Sequence, residues 1–255
     1  MDEVRDRWQA MGEQDPLWSV LSVDGKEHGR WSPDEFFAVG EVDVDRIHRQ
    51  AAAIGIDPTR GEALDFGCGV GRLSLPLARR YRHVTGVDVA DSMVARARDF
   101  ADKAAIANAD FVVNTEPSLP FADGSFDFAV AWIVLQHLRP GLARTYIAEL
   151  VRVLKLGGLL VFQLPSELRA PSQSRSAWKR RVMAAIPDER VQQIHRLRAG
   201  KAGIRAFPMY GVRRANVIDF VEARGGQVAG VIEDNAAGST WRSFHYFIQR
   251  VAPLV

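Results

Sequence analysis

Leu64-Asp65-Phe66-Gly67-Cys68-Gly69-Val70-Gly71-Arg72-Leu73 is the stretch on which the fold turns. An apolar run ends at Phe66 and passes into three glycines at alternating positions. Such glycines let the backbone turn tightly and approach a ligand without side-chain interference. The next apolar run closes on Val84-Thr85-Gly86-Val87-Asp88. An acid there, about 20 residues beyond the glycines, is placed to hold a ribose diol. The pair of features points to an adenosine-type ligand. A dinucleotide is excluded by spacing: counted from Gly67, G-x-G-x-x-G requires glycine at 72, where Arg72 stands. It would also need a second mononucleotide half, and the chain ends differently.

Working outward, short apolar runs alternate with amphipathic stretches from about residue 62, the pattern of a βαβ sheet. Strands are predicted at Ala63–Phe66, Val84–Asp88, Asp110–Val113, Phe126–Ile133 and Leu159–Leu164, with helices over 72–81, 91–104 and 141–154. Lys155-Leu156-Gly157-Gly158 reads as the end of the last of these helices. Residues 212–224 read as a further helix, closed by Gly225-Gly226. Two β-like runs follow, Gln227–Glu233 and Trp241–Arg250, and the short polar turn between them suits an antiparallel hairpin. Residues 1–60 precede the sheet and read as helical around 33–54, with Ser32 as N-cap and Pro33 in the first turn. Residues 166–207 interrupt the alternation as an insertion.

The 255 residues are 47% hydrophobic and 25% charged, enough for one α/β domain with elaborations. No run of about 18 apolar residues lacks charge, so no transmembrane helix is expected. No signal peptide is expected at the N-terminus. The single cysteine, Cys68, rules out an internal disulfide and a cysteine-based zinc site. These readings together predict a cytoplasmic protein. Net charge is only +2, but residues 1–68 carry 15 acids against 7 bases, whereas residues 169–214 carry 12 bases against 2 acids.

The chain resembles the class I S-adenosylmethionine (SAM)-dependent methyltransferases, specifically their compact bacterial small-molecule members, across roughly 60–165 and 211–250. The matching stretches are Leu64–Gly71, Gly86-Val87-Asp88, Leu119-Pro120-Phe121-Ala122-Asp123-Gly124-Ser125-Phe126-Asp127 and Leu154–Leu160. The resemblance implies a Rossmann-like seven-stranded α/β sheet whose last strand is antiparallel, with a SAM-binding core of 61–165 and 208–255. It also implies an N-terminal helical lid of 1–60, and 166–207 becomes a basic helical cap after strand five. Asp65, Gly67, Cys68, Gly69 and Gly71 would then cradle the methionine and ribose of SAM. Asp88 would bind both ribose hydroxyls, and Val89 and Met93 would flank the adenine. The family's usual aspartate after strand three is missing: Asn114, Thr115 and Glu116 stand there and would meet the adenine edge. Trp132 would lend its carbonyl to the methionine amino group.

Methyl transfer from a sulfonium gains chiefly from holding the acceptor close and in line, and an oxygen acceptor must also lose a proton. The family places such residues after strand four, where the sequence reads Ala131-Trp132-Ile133-Val134-Leu135-Gln136-His137-Leu138. His137 is the first base candidate and His245 the second. Tyr210 and Trp241 are candidates to wall an acceptor pocket, Arg30 to meet a carboxylate of SAM or substrate, Trp31 to contact the substrate, and Arg180 and Arg181 to select an anionic acceptor. The Asn/Asp-Pro-Pro-Tyr/Phe sequence of nucleic-acid amine methylation is absent, as is a carboxylate set for a divalent metal. The function expected is O-methylation of a sugar-like or secondary-metabolite hydroxyl. The alternatives are N-methylation of an amino sugar or other amine, and a SAM-fold protein that transfers no methyl group.

Overall fold

The structure is a computed structural model, and it describes residues 2–169 and 208–252. Three helices come first: α1 (Asp2–Gln14), α2 (Pro16–Val20) and α3 (Pro33–Ala53). α3 starts where expected. Ser32 accepts from the Glu35 amide while Glu35 reaches back to the Ser32 amide, a reciprocal capping box with proline in the first turn.

The alternating part follows as β1 (Glu62–Phe66), α4 (Ser74–Ala78), β2 (His83–Asp88), α5 (Asp91–Lys103), β3 (Ala109–Val113), β4 (Phe126–Ala131), α6 (Pro140–Val153) and β5 (Leu154–Leu168). After the insertion come α7 (Arg214–Glu222), β6 (Gly226–Asp234) and β7 (Trp241–Arg250). The seven strands form one sheet in the order β3-β2-β1-β4-β5-β7-β6. The first five run parallel, and β7 pairs antiparallel with both β5 and β6.

β4 shows why the sheet is buried on both faces. Phe128, Val130 and Trp132 pack into one apolar cluster with Val44, Ile47 and Ala51 of α3. Ala129 and Ala131 alternate into the other, with Tyr146, Ile147 and Leu150 of α6.

Two boundaries differ from the sequence reading. The α6 helix stops at Val153, and Lys155–Gly158 belong to a bulge in β5: register jumps from Phe126↔Leu154 to Phe128↔Leu159, and Gly157 takes φ 78°. At its far end β5 runs on to Leu168, because β7 is long enough to pair with it as far as Trp241. Positions 166–168, read as the start of the helical insertion, are therefore strand. The remainder of that insertion, Arg180 and Arg181 included, lies outside the described residues.

Candidate functional site

At the carboxyl ends of β1, β2 and β4 the loops enclose a cleft open to solvent. The glycine loop forms its floor. Gly67, Gly69 and Gly71 take φ of 73°, 53° and 86°, a region that side-chain-bearing residues rarely adopt. A Cβ on Gly69 would also run into Val20 of α2, and one on Gly67 into Val134.

Asp88 ends β2 and ties this loop down. Its Oδ2 accepts from the Gly69 amide at 2.9 Å and its Oδ1 from the Ala90 amide at 3.0 Å. A carboxylate offers about four acceptor positions, so these two amides leave part of its acceptor capacity free. Burial raises the Asp88 pKa, and the amides of Ala90, Gly69 and Val89 oppose that shift. Asp65 is more deeply placed. Burial pushes it up to about 6, against the opposing hydrogen bond from Ser74 Oγ at 2.6 Å and the nearby Arg72.

Nine of the twelve residues assigned to the cofactor line the cleft: Asp65, Gly67, Cys68, Gly69, Asp88, Val89, Met93, Asn114 and Trp132. Gly71, Thr115 and Glu116 do not. Gly71 turns toward Ala97 and Phe111 instead. Asn114 closes the turn after β3 on itself, donating from Nδ2 to the carbonyls of Glu116 and Ser118 at 3.0 Å each. That turn carries Thr115 and Glu116 off the cleft, and the Glu116 carbonyl accepts from Tyr146 Oη at 2.8 Å. Burial pushes the Cys68 thiol well up, so it is held as a neutral side chain.

His137 also lines the cleft, in the single helical turn Leu135–His137 after β4. Trp8 of α1 meets it edge-on, with ring centroids 5.5 Å apart. Burial lowers the imidazole pKa to about 4, against a hydrogen bond to the Pro208 backbone. It is neutral, and so able to accept a proton, throughout the physiological range. His245 lies away from the cleft, buried among β6, β7 and α3. The substrate candidates are scattered. Trp31 is buried against Phe36 with its indole donating to Leu21, Arg30 is exposed, and Trp241 starts β7. Tyr210 is buried, its amide donating to the Gln136 carbonyl at 2.7 Å beside the turn that carries His137.

The sequence reading expected a lid from 1–60 but named neither Arg72 nor the α1 and α2 residues that reach the cleft. Arg72 lines the cleft but is 3% exposed and paired with Asp43 of α3 at 2.5 Å. Val4 and Trp8 of α1 and Val20 of α2 cover the glycine loop. Gln9 fixes α1 there, its Oε1 accepting from the Ser92 amide and its carbonyl from Ser92 Oγ, both at 3.0 Å. The aromatic content of 1–60 hinted at packing, but no motif marks which aromatic faces a ligand. Among the described residues no cluster of His, Cys, Asp and Glu is arranged to hold a metal, and no helix is long and apolar enough to cross a membrane.

Comparison with known proteins agrees with this geometry. Residues 63–158 match the model of a methyltransferase domain. The chain is 32% identical over 193 residues to a malonyl-[acyl-carrier protein] O-methyltransferase of Geobacter sulfurreducens, covering 73% of this chain and 67% of that one. It is 32% identical over 149 residues to a Synechocystis 2-methyl-6-phytyl-1,4-hydroquinone methyltransferase, covering 57% and 46%. The chain spans about half the length of the curated relatives it first matches. Among solved structures, the magnesium protoporphyrin IX methyltransferase of Synechocystis with bound S-adenosylhomocysteine (SAH) superposes over 98% of this chain and 99% of its own. The TM-score is 0.64 at 20% identity, a likeness of fold. The strand order, the glycine floor with Asp88 beside it and the matched relatives lead to one assignment: the chain belongs to the class I SAM-dependent methyltransferases, and its cofactor is SAM.

Proposed function

We propose that the protein methylates an oxygen of a small molecule, sugar-like or of secondary metabolism, with SAM as donor. The observation that carries this reading is that one cleft joins the Asp88 end of β2 to a neutral imidazole at the end of β4. SAM, when bound, supplies an electrophilic methyl group whose bonding electrons return to sulfur as SAH leaves. The protein's part is to hold and orient. Gly67 and Gly69 give the backbone close approach, and Asp88 offers its free acceptor capacity to the ribose. Val89, Met93, Asn114 and Tyr146 line the same cleft and would wall the adenine. His137 takes the acceptor's proton as the new C–O bond forms. Trp8 and Val20 keep water from the reacting atoms, which sharpens electrostatics inside the site.

The excess of bases in 169–214, 12 against 2 acids, supports an acceptor bearing an anionic group, to which arginine pairs bidentately. An amine acceptor is the second reading. It is favoured by the depressed pKa of His137, since an amine that arrives deprotonated asks little of a base. The deciding experiment incubates the protein with SAM and a metabolite extract and looks for a gain of one methyl mass by mass spectrometry. A deuterated methyl donor confirms the origin of the gain. Absence of any labelled product, with SAH binding intact, would favour a SAM-fold protein that does not transfer methyl groups.

A further inference from the structure

The wall of the cleft just after β4 carries a conformational anomaly. Ile133, which lines the cleft, has φ of 60°. A β-branched residue is strained in the left-handed region and stays there only where its surroundings over-determine it. On one side Val134 is packed against Gly67. On the other, Trp132 is 5% exposed, and its indole reaches across β5 to the imidazole of His245, with centroids 4.3 Å apart and planes 39° apart.

His245 is itself bracketed. Its Nδ1 lies 3.1 Å from Gln50 Oε1 of α3, and its Nε2 faces the Asp234 carboxylate of β6 at 3.5 Å. The cross-strand neighbour of His245 in β5 is Gln163, wholly buried, with neither amide atom hydrogen-bonded. An apolar side chain would pack there without that cost. Burying a histidine, an aspartate and a glutamine in one layer next to an aromatic ring is not what a core selected for stability alone would contain.

We propose that His245 is a positioning residue for the cofactor site, the imidazole serving as the platform on which Trp132 rests and so holding Ile133 in its strained conformation. The bracket makes the platform rigid: α3 and the β6–β7 hairpin clamp the ring from two directions, so the C-terminal hairpin helps shape the cofactor wall without touching it. This rests on the cleft being the SAM site.

The test is calorimetric titration of SAH into the wild-type chain, His245→Ala and His245→Phe, with both substitutions repeated in a Trp132→Ala background. His245→Ala is expected to raise the SAH Kd roughly tenfold, the scale of coupling between residues in direct contact. His245→Phe keeps an aromatic platform and restores Kd to within about threefold of wild type. In the Trp132→Ala background neither substitution changes Kd further. Should His245→Ala fail to fold, Gln50→Ala loosens the bracket without a buried cavity and is expected to raise Kd about threefold. An unchanged Kd in the folded His245→Ala or Gln50→Ala protein overturns the positioning role, as does an additive effect in the Trp132→Ala background. A wild-type chain that binds no SAH overturns the cofactor reading and the positioning role together.

Discussion

Replacing Asp88 with alanine removes two kinds of bond at once, and the structure separates their consequences. The carboxylate holds the Gly69 and Ala90 amides at 2.9 and 3.0 Å. In Asp88→Ala both lose their partner, at a cost of about 1–2 kcal/mol together and a Tm lowered by about 3–8 °C. Asp88 also lines the cleft, where on the proposed reading charge-assisted hydrogen bonds to the ribose hydroxyls would contribute about 1.5–3 kcal/mol. Their loss weakens SAH about 10- to 100-fold. Asp88→Asn keeps one acceptor oxygen and the side-chain shape, so it falls between wild type and alanine in both quantities. Isothermal titration with SAH measures the first effect and differential scanning fluorimetry the second. If Asp88→Ala lowers Tm but leaves the SAH Kd at the wild-type value, the carboxylate only caps the loop and the diol argument is wrong.

Three further outcomes follow from the same geometry. His137→Ala is expected to lower kcat by about 10²–10⁴ while leaving SAH affinity within about twofold. At saturating SAM the wild-type kcat should show no inflection near 6.5 and should fall only as pH drops toward about 4, where the buried imidazole protonates; a wild-type-like kcat in the variant removes His137 from the chemistry. Asp65, raised to about 6 by burial, ionises more readily once the cationic SAM is beside it. SAM affinity should therefore rise with pH from about 5 to about 7, with protons released on binding, as titrations in buffers of different ionisation enthalpy will reveal. Asp43→Ala removes the paired carboxylate of the buried Arg72 guanidinium and leaves only the Asp65 carboxyl nearby, costing about 3–5 kcal/mol. Thermal unfolding should then fall by about 10 °C, and an unchanged Tm would mean that water already serves Arg72.

The sheet was legible because its signals are local. The loop Gly67–Gly71 requires positive φ at each glycine, Asp88 must follow β2, and the turn between 234 and 239 is too short for anything but a hairpin. The end of α6 was misread because Gly157-Gly158 resembles a helix stop, whereas the glycines sit in a bulge that lets β5 regain its register with β4. Nine of the twelve assigned cofactor residues reached the cleft because they belong to the same local motifs. Thr115 and Glu116 did not, since the orientation of their turn is set by the Asn114 side chain and by Tyr146, 30 residues away in sequence. Trp8 and Arg72 show the harder case. Both line the cleft because helices distant in sequence pack over the glycine loop, and no spacing rule encodes that arrangement.

The roof over the cleft and the weak basicity of His137 have one cause. Burial, with Trp8 meeting the ring edge-on, keeps the imidazole neutral against the opposing Pro208 hydrogen bond, and also makes it a poor final resting place for a proton. An aliphatic hydroxyl, ordinarily far less acidic than imidazolium, would have to lose its proton in concert with methyl transfer, when the attacking oxygen is already gaining positive charge. A carboxylic acid needs no base at all, because it reaches the cleft already ionised, and a neutral amine gives up its proton only after the bond is made. Acceptor identity can therefore be ranked by how strongly kcat depends on His137. For a carboxylate or amine the His137→Ala variant retains most of its turnover, whereas for an alcohol it loses the full two to four orders of magnitude.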